Sequence, residues 1–568
     1  MIPAVWAPRP DRVRLWTERG AHPMRPTDDD GWWEAEVELA PGERYGFLLD
    51  DDETPLPDPR GRRLADGIHG PSMVIDPAVF AGAGDWPGRT LAGSVIYELH
   101  FGTFTPGGTA DSAIERLDEL FDLGVDFVEP LPVNGFEGSY NWGYDGVAWF
   151  TVDESYGGPA AYRRFVDACH ERGMGVIQDV VYNHLGPSGN YLPRFGPYLR
   201  TEGGNTWGDT IALEEPAVFG YVVENARMWL QDYGVDGLRL DAVHALADDQ
   251  RDRLLSTLSE QAAFLERHGS GGPITLIAES DMNDARLITP IPDGGDGLTA
   301  QWSDDYHHAV HVALTGETEG YYADFDSLDV LAKAATRGFV HDGTYSSFRG
   351  RPHGAPIPEE LEPWRLVTFS QDHDQIGNRA AGDRLGANLS PDRLAIAAVL
   401  TLCSPFTPML FMGEEWGAST PWQFFTAHRD PDLGRATAEG RIAEFARMGW
   451  DPESVPDPQD PETFERSRLD WSERDREPHA RLLRLHRELI ALRRRESAFR
   501  TARFADLSAE ADDDAGRFLL RIGDLEIRVN FGADAWATAA GELLLGTRED
   551  VRDVVLPPDS AAVVRMHT

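Results

Sequence analysis

Four apolar runs in this sequence each finish in ionisable groups: Asp179-Val-Val-Tyr-Asn183-His184, Gly237-Leu-Arg239-Leu-Asp241-Ala-Val-His244, Leu276-Ile-Ala-Glu279-Ser, and Gln371-Asp372-His373-Asp374-Gln375. Carboxylates, imidazoles and one guanidinium in such positions suit proton transfer and nucleophilic attack without a cofactor. A single polar strand end has an ordinary explanation, because strand termini are solvated and Asp caps a following helix. Four of them on one rim would be a reaction centre. Other chemistries are poorly provided for. Lys333 is the only lysine and lies in no Gly-rich phosphate loop. Cys169 and Cys403 are too few for a cysteine-based zinc site and are expected to be buried free thiols. His307, His308 and His311 include an i, i+4 histidine pair, but no Glu follows His307 as in H-E-x-x-H, so no metal is expected.

The elements that would position these groups are legible as rhythm. The first 85 residues read as an antiparallel β-sandwich, with strands at Arg12–Thr17, Trp32–Leu39 and Arg44–Leu49 and a turn at Asp28-Asp29-Asp30-Gly31. A Gly/Pro-rich linker spans Ala81–Gly93. Eight apolar runs then alternate with amphipathic patterns: Val95–Leu99, Phe127–Leu131, Gly175–Val181, Gly237–Asp241, Thr275–Glu279, Thr299–Trp302, Arg365–Phe369 and Met409–Met412. Helices are expected at Ile114–Leu123, Ala160–Arg172, Val218–Asp232, Gln250–Arg267, Arg393–Leu402 and Arg481–Arg495. This is the α/β pattern of a (β/α)8 TIM barrel, over residues 91–495, whose strand C-termini share one pocket. The loop His184–Pro216 is rich in Gly, Pro, Asn and aromatics, as a functional insertion would be. Strands at Arg517–Arg521, Leu525–Asn530, Val551–Val555 and Ala561–Met566 give a second small β domain, 496–568.

Composition sets the partners. The 568 residues carry 52 basic and 96 acidic side chains, a net charge of −44, with 41% hydrophobic residues. That is a globular composition, and its acidity speaks against nucleic acid, anionic membrane or a polyanionic substrate. The N-terminal MIPAVWAPRP shows no signal peptide, and the apolar window Leu394–Gly413 is interrupted by Ser404, Pro405, Thr407 and Pro408. A cytoplasmic protein is expected.

The order Asp179…Asn183-His184, Arg239…Asp241, Glu279, His373-Asp374 resembles the four signature regions of the α-amylase family of glycoside hydrolases, family 13. The resemblance spans the barrel, and the two β domains fit that family's layout. It implies a retaining mechanism, with Asp241 as nucleophile, Glu279 as acid/base and Asp374 as a third carboxylate holding sugar hydroxyls. Arg239 falls on the same strand face as Asp241 and would keep it ionised, while Ile277-Ala278 would raise the proton affinity of Glu279. By the same resemblance His184 and His373 would bond sugar hydroxyls and Tyr144 would stack on the ring.

A narrower set, Asn141–Val147, Asp304–His308, His373–Arg384, Phe411–Trp416 and Pro421–Pro431, is similar to maltooligosyltrehalose trehalohydrolases. It implies a substrate site built from Arg239, Leu240, Ala242, Val243 and His244, from Asp304, Asp305, Tyr306, His307 and His308, and from His373, Gln375, Ile376, Gly377 and Asn378. It further implies a neutral α-glucan substrate and water, no cofactor, and pairing with a maltooligosyltrehalose synthase. The alternatives are a branching or debranching enzyme of the same clan, or a non-catalytic glucan-binding barrel. The presence of all three carboxylates speaks against the last.

Overall fold

The computed structural model describes residues 1–82, 86–200, 209–246, 248–269, 272–447, 455–552 and 555–567. At its centre eight parallel strands close into a barrel: β1 (Ile96–Leu99), β2 (Phe127–Pro130), β3 (Gly175–Val180), β4 (Gly237–Leu240), β5 (Thr275–Ala278), β6 (Ala300–Trp302), β7 (Leu366–Thr368) and β8 (Thr407–Phe411). Each pairs with its chain neighbour, and β8 closes on β1 with Met409 opposite Ile96. All eight expected strands are present. Six of them end one residue early; on β4 and β5 the residue that has left the ladder for the rim is the acid, Asp241 and Glu279.

Strand alternation divides the barrel interior into layers. Ile96, Phe127, Ile177, Ile277 and Val367 form one buried apolar cluster with Trp302 and Met409. Two residues further along β1, β2 and β3 stand Glu98, Glu129 and Asp179, all buried; Arg239 occupies the matching place on β4, and Glu279 follows β5. An apolar floor thus carries an ionisable layer directly beneath the rim.

Helices cover the outside. The helix expected at Ile114–Leu123 is two, Ala110–Ile114 and Leu117–Leu123; a capping box between Thr109 and Ser112 starts the first. Helix Pro391–Leu402 begins with Ser390 as N-cap and Pro391 in its first turn. Its last carbonyl and those of the following turn are met by Arg493 of helix His479–Arg495, which donates to the carbonyls of Leu402, Ser404 and Phe406. Both cysteines are buried free thiols.

The N-terminal strands form a six-stranded antiparallel sheet in the order Ala4–Trp6, Trp32–Ala35, Gly20–Pro26, Val13–Thr17, Arg44–Leu49, Ser72–Met73. Part of the long loop after β3 is the surface on which it docks. The Trp6 and Tyr198 rings meet edge to face at 5.1 Å, Phe47 packs on Phe195, and the Arg9 amide donates to the Phe195 carbonyl at 3.1 Å. The aromatics of that loop therefore hold two units together; its residues 201–208 lie outside the described residues. The C-terminal sheet has five strands, Leu507–Asp512, Arg517–Ile522, Leu525–Asn530, Ser560–Arg565 and Glu542–Gly546. The strand expected at Val551–Val555 is instead Val555–Leu556, paired with Trp536–Ala537; residues 553–554 are outside the described residues.

Candidate active site

The site is organised around one buried guanidinium. Arg239 is fully buried and lies 4.4 Å from the Trp302 ring centroid. Its Nη1 donates to Asp241 Oδ1 at 2.7 Å and to both Asp179 oxygens at 3.0 and 3.1 Å; its Nη2 stands 3.6 Å from Glu279 Oε2. Asp241, the first residue past β4, also accepts from Asn183 Nδ2 at 2.7 Å. Burial works against its charge, but Arg239, His184 and the Asn183 bond outweigh burial and hold the carboxyl below the ordinary range. Burial has the opposite outcome at Glu279: with Asp241 and Asp374 nearby, it raises this carboxyl above the ordinary range despite Arg239. Two acids on one cation are thus pushed apart, one towards the anion and one towards the acid.

Backbone geometry fixes this arrangement. Ala242 is a non-glycine residue in the left-handed region, φ 39° and ψ 53°, and this turn aims its amide at Glu279 Oε2. The Val243 amide bonds the Glu279 carbonyl at 3.1 Å. Across the rim, His373 Nδ1 lies 2.6 Å from Glu98 Oε1, its amide donates to Glu98 Oε2, and its Nε2 lies 2.8 Å from the Tyr144 hydroxyl. Burial disfavours its charge, yet Glu98 and Asp374 lift its pKa to about 10. The Tyr144 hydroxyl bonds Asp179 Oδ2 at 2.7 Å, and its ring stacks on His373 with centroids 5.1 Å apart. Burial lifts Asp179 itself to about 7.

A cavity of about 290 Å³ adjoins these groups, lined by Asp304, His308, Asp374, Gln375, Asn378 and Arg349 among others; Asp304 and Asp374 in its wall are the groups that bear on Glu279. Asp374 is the most open of the three expected carboxylates, with 44% of its side chain exposed, and accepts from Asn378 Nδ2 at 3.1 Å. Asp304 has its carboxyl raised well above the ordinary range by burial and by Glu279.

Other expected site residues serve the frame. Leu240 and Val243 are buried in the apolar core. Tyr306 points away from the cleft, its hydroxyl on the Leu400 carbonyl at 2.7 Å. Asp305 Oδ2 accepts from the Val340 and His341 amides and from Asn283 Nδ2, tying down the cavity wall. His307 and Ile376 face a neighbouring cavity of about 370 Å³, with Gln375 between the two. His184 bonds the Tyr144 carbonyl at 2.9 Å, and Gly377 makes room for Trp142. His244 Nδ1 lies 3.8 Å from Asp281 Oδ1. Among the described residues no three His, Cys, Asp or Glu side chains gather as a metal site, and His311 instead meets Glu317 at 2.9 Å.

Sequence reasoning overlooked Glu98, Glu129 and Trp302. The signal was available as period-two alternation: Ile96/Glu98, Phe127/Glu129 and Ile177/Asp179 are matched pairs on three successive strands.

The family model described as alpha amylase, catalytic domain, matches residues 65–195, and one described as a domain of unknown function (DUF3459) matches residues 502–563. The crystal structure of a candidate alpha amylase from Salmonella typhimurium superimposes with a TM-score of 0.92 at 35% identity, covering 100% of this chain and 97% of that one. Barrel, flanking sheets and rim carboxylates together define a glycoside hydrolase of the α-amylase class. The chain is 57% identical to the malto-oligosyltrehalose trehalohydrolase of Rhizobium sp. (strain M-11), over 99% of this chain and 97% of that protein. It is 38% identical to the enzyme of the same name from Saccharolobus solfataricus, over 86% and 84%. The chain belongs to the malto-oligosyltrehalose trehalohydrolase family.

Proposed function

We propose that this chain hydrolyses the α-1,4-glucosidic bond next to the terminal trehalose unit of a maltooligosyltrehalose and releases trehalose. The observation that carries the chemistry is the shared Arg239, with Asp241 held towards the anion and Glu279 towards the acid. Asp241 attacks the anomeric carbon while Glu279 gives its proton to the leaving oxygen. Glu279, now a carboxylate, then takes a proton from water; the water oxygen bonds the anomeric carbon and Asp241 leaves, so configuration is retained. Asp374 is open to the cavity, as a carboxylate that bonds sugar hydroxyls must be. His373, held by Glu98 and Tyr144, lies on the same rim.

In this reading residues 91–495 are the catalytic unit, with 1–85 and 496–568 flanking it. A synthase that installs the terminal α,α-1,1 link would supply the substrate, and both enzymes would meet it in the cytoplasm. The test is product analysis on maltooligosyltrehalose, amylose and amylopectin. Free trehalose from the first substrate is expected; chain transfer or debranching without it overturns the assignment. Asp241→Ala and Glu279→Gln are each expected to lower turnover by orders of magnitude, and a near-normal rate in either would refute its role.

A further inference from the structure

Beneath the reacting carboxylates lies an acid that the mechanism above does not use. Glu129 is 1% exposed, and neither of its side-chain oxygens has a hydrogen-bond partner among the described residues. It stands in register with Glu98 on β1, and Asp179 occupies the same interior layer on β3. Each neighbour has its own cationic partner: Glu98 holds His373, and Asp179 holds Arg239. The ionisable groups bearing on Glu129 are therefore the carboxyls of Glu98 and Asp179, and the cations Arg239 and His373, each engaged with another carboxyl.

An ionised carboxylate here would be one more acidic charge in a dry layer, with no donor of its own. It would also compete for the guanidinium that Asp179, Asp241 and Glu279 share. A protonated carboxyl avoids both problems. Its O–H is the one donor Glu129 can offer, and the carboxyls of Glu98 and Asp179 are its neighbours in the layer. Burial, reinforced by Glu98 and Asp179, raises this carboxyl well above the ordinary range, in agreement with that geometry.

We propose that Glu129 is a positioning residue of the hydrolytic site, a carboxylic acid kept neutral between Glu98 and Asp179 so that Arg239 and His373 remain committed to the carboxylates at the rim. This role deepens the hydrolase reading and rests on it for its kinetic consequence. The protonation state itself is read without substrate, so the two ideas fail separately.

Infrared difference spectra of the whole protein at pH 7, wild type against Glu129→Gln, are expected to show the C=O stretch of a protonated carboxyl lost in the variant. Absence of that band overturns the proposal. Kinetically, Glu129→Gln replaces one neutral donor with another and is expected to keep kcat/KM within about threefold, with both limbs of the pH profile in place. If Glu129 were ionised, the same change would remove a negative charge near Glu279 and move the alkaline limb to lower pH, which also overturns it. Glu129→Met keeps bulk and neutrality but removes the donor, so kcat/KM is expected to fall about tenfold or more while the melting temperature stays near that of the Gln variant. Equal kcat/KM in the Met and Gln variants would reduce Glu129 to filler. An insoluble Glu129→Gln protein would count against the proposal too, since a neutral acid and an amide are nearly isosteric.

Discussion

Replacing Arg239 by Met tests the electrostatic core of the site. The substitution keeps approximate volume and apolar stem but removes a buried charge that contacts Asp241 at 2.7 Å and Asp179 at 3.0 Å. With charge centres about 4 Å apart and an effective dielectric of about 20, the attraction for one carboxylate is about 4 kcal/mol. That corresponds to about three pKa units at 1.36 kcal/mol per unit, shared among the acids that face the guanidinium. Asp241 must be ionised to attack, so activity falls as pH drops through its pKa. Raising that pKa moves the acidic limb upward. The expected outcome is a rise of about two to three units in the acidic limb of kcat/KM, with the loss greatest at the acid end of the profile and small near neutrality. The assay is trehalose release from a maltooligosyltrehalose between pH 4 and 9, with circular dichroism to confirm the fold, because stranding buried acids costs about 3–5 kcal/mol. Arg239→Lys keeps the charge but not the fork, and an intermediate profile is expected. A folded Met variant whose acidic limb stays in place would refute the reasoning, since Asp241 would then owe its ionisation to something else.

Other outcomes follow from contacts further out. Burial lifts Glu414 to about 7, while Ser370 and the Phe411 amide bond its carboxylate. The native state therefore holds a proton that the unfolded chain releases near pH 4, so this group's contribution is lost as pH climbs from about 4 to about 7. Glu414→Gln should flatten the fall of melting temperature between pH 5 and 8; an unchanged slope would contradict it. In Gly377→Ala the added Cβ would meet Trp142 ring carbons at 2.0 and 2.2 Å, displacing a ring that stacks on Trp422 and lies edge-on to His373. A loss of about 1–3 kcal/mol in urea unfolding is expected, with lowered kcat/KM. Asp305→Ala strands the Val340 and His341 amides, at about 1–3 kcal/mol for each orphaned donor. Its KM should rise more than its kcat falls, because the cavity wall loosens while the carboxylates stay in place; steady-state kinetics would show the reverse if Asp305 touched the reacting sugar.

The strands of the barrel were legible because both of their faces are covered, which demands nearly unbroken apolar runs such as Thr275–Ala278 and Thr407–Phe411. The rim acids were legible because each interrupts such a run at its end. Glu98 and Glu129 were passed over for the same physical reason: they sit inside runs judged by average polarity, and only alternation shows that they face inward. The aromatics of the β3 loop were ambiguous in principle, since Trp6–Tyr198 packing and sugar stacking call for the same side chains. The break at Glu115–Arg116 also left no mark, because helical periodicity continues across it. Tyr306 shares a rim segment with Asp304 and Asp305, and only helix direction decides that the two acids line the cavity while the Tyr306 hydroxyl turns to the Leu400 carbonyl.

The pairing of Met409 with Ile96 has a consequence for how this molecule is made. The first strand leaves the ribosome long before the partner that closes it, roughly 15 to 60 s at about 5–20 residues per second. Throughout that interval β1 presents an unpaired edge, and Glu98, Glu129 and Asp179 remain wet. Dehydration of the ionisable layer must therefore be a late and concerted event, made when β8 docks. Damage to the final third of the chain is then felt first as a nascent chain unable to seal its own centre.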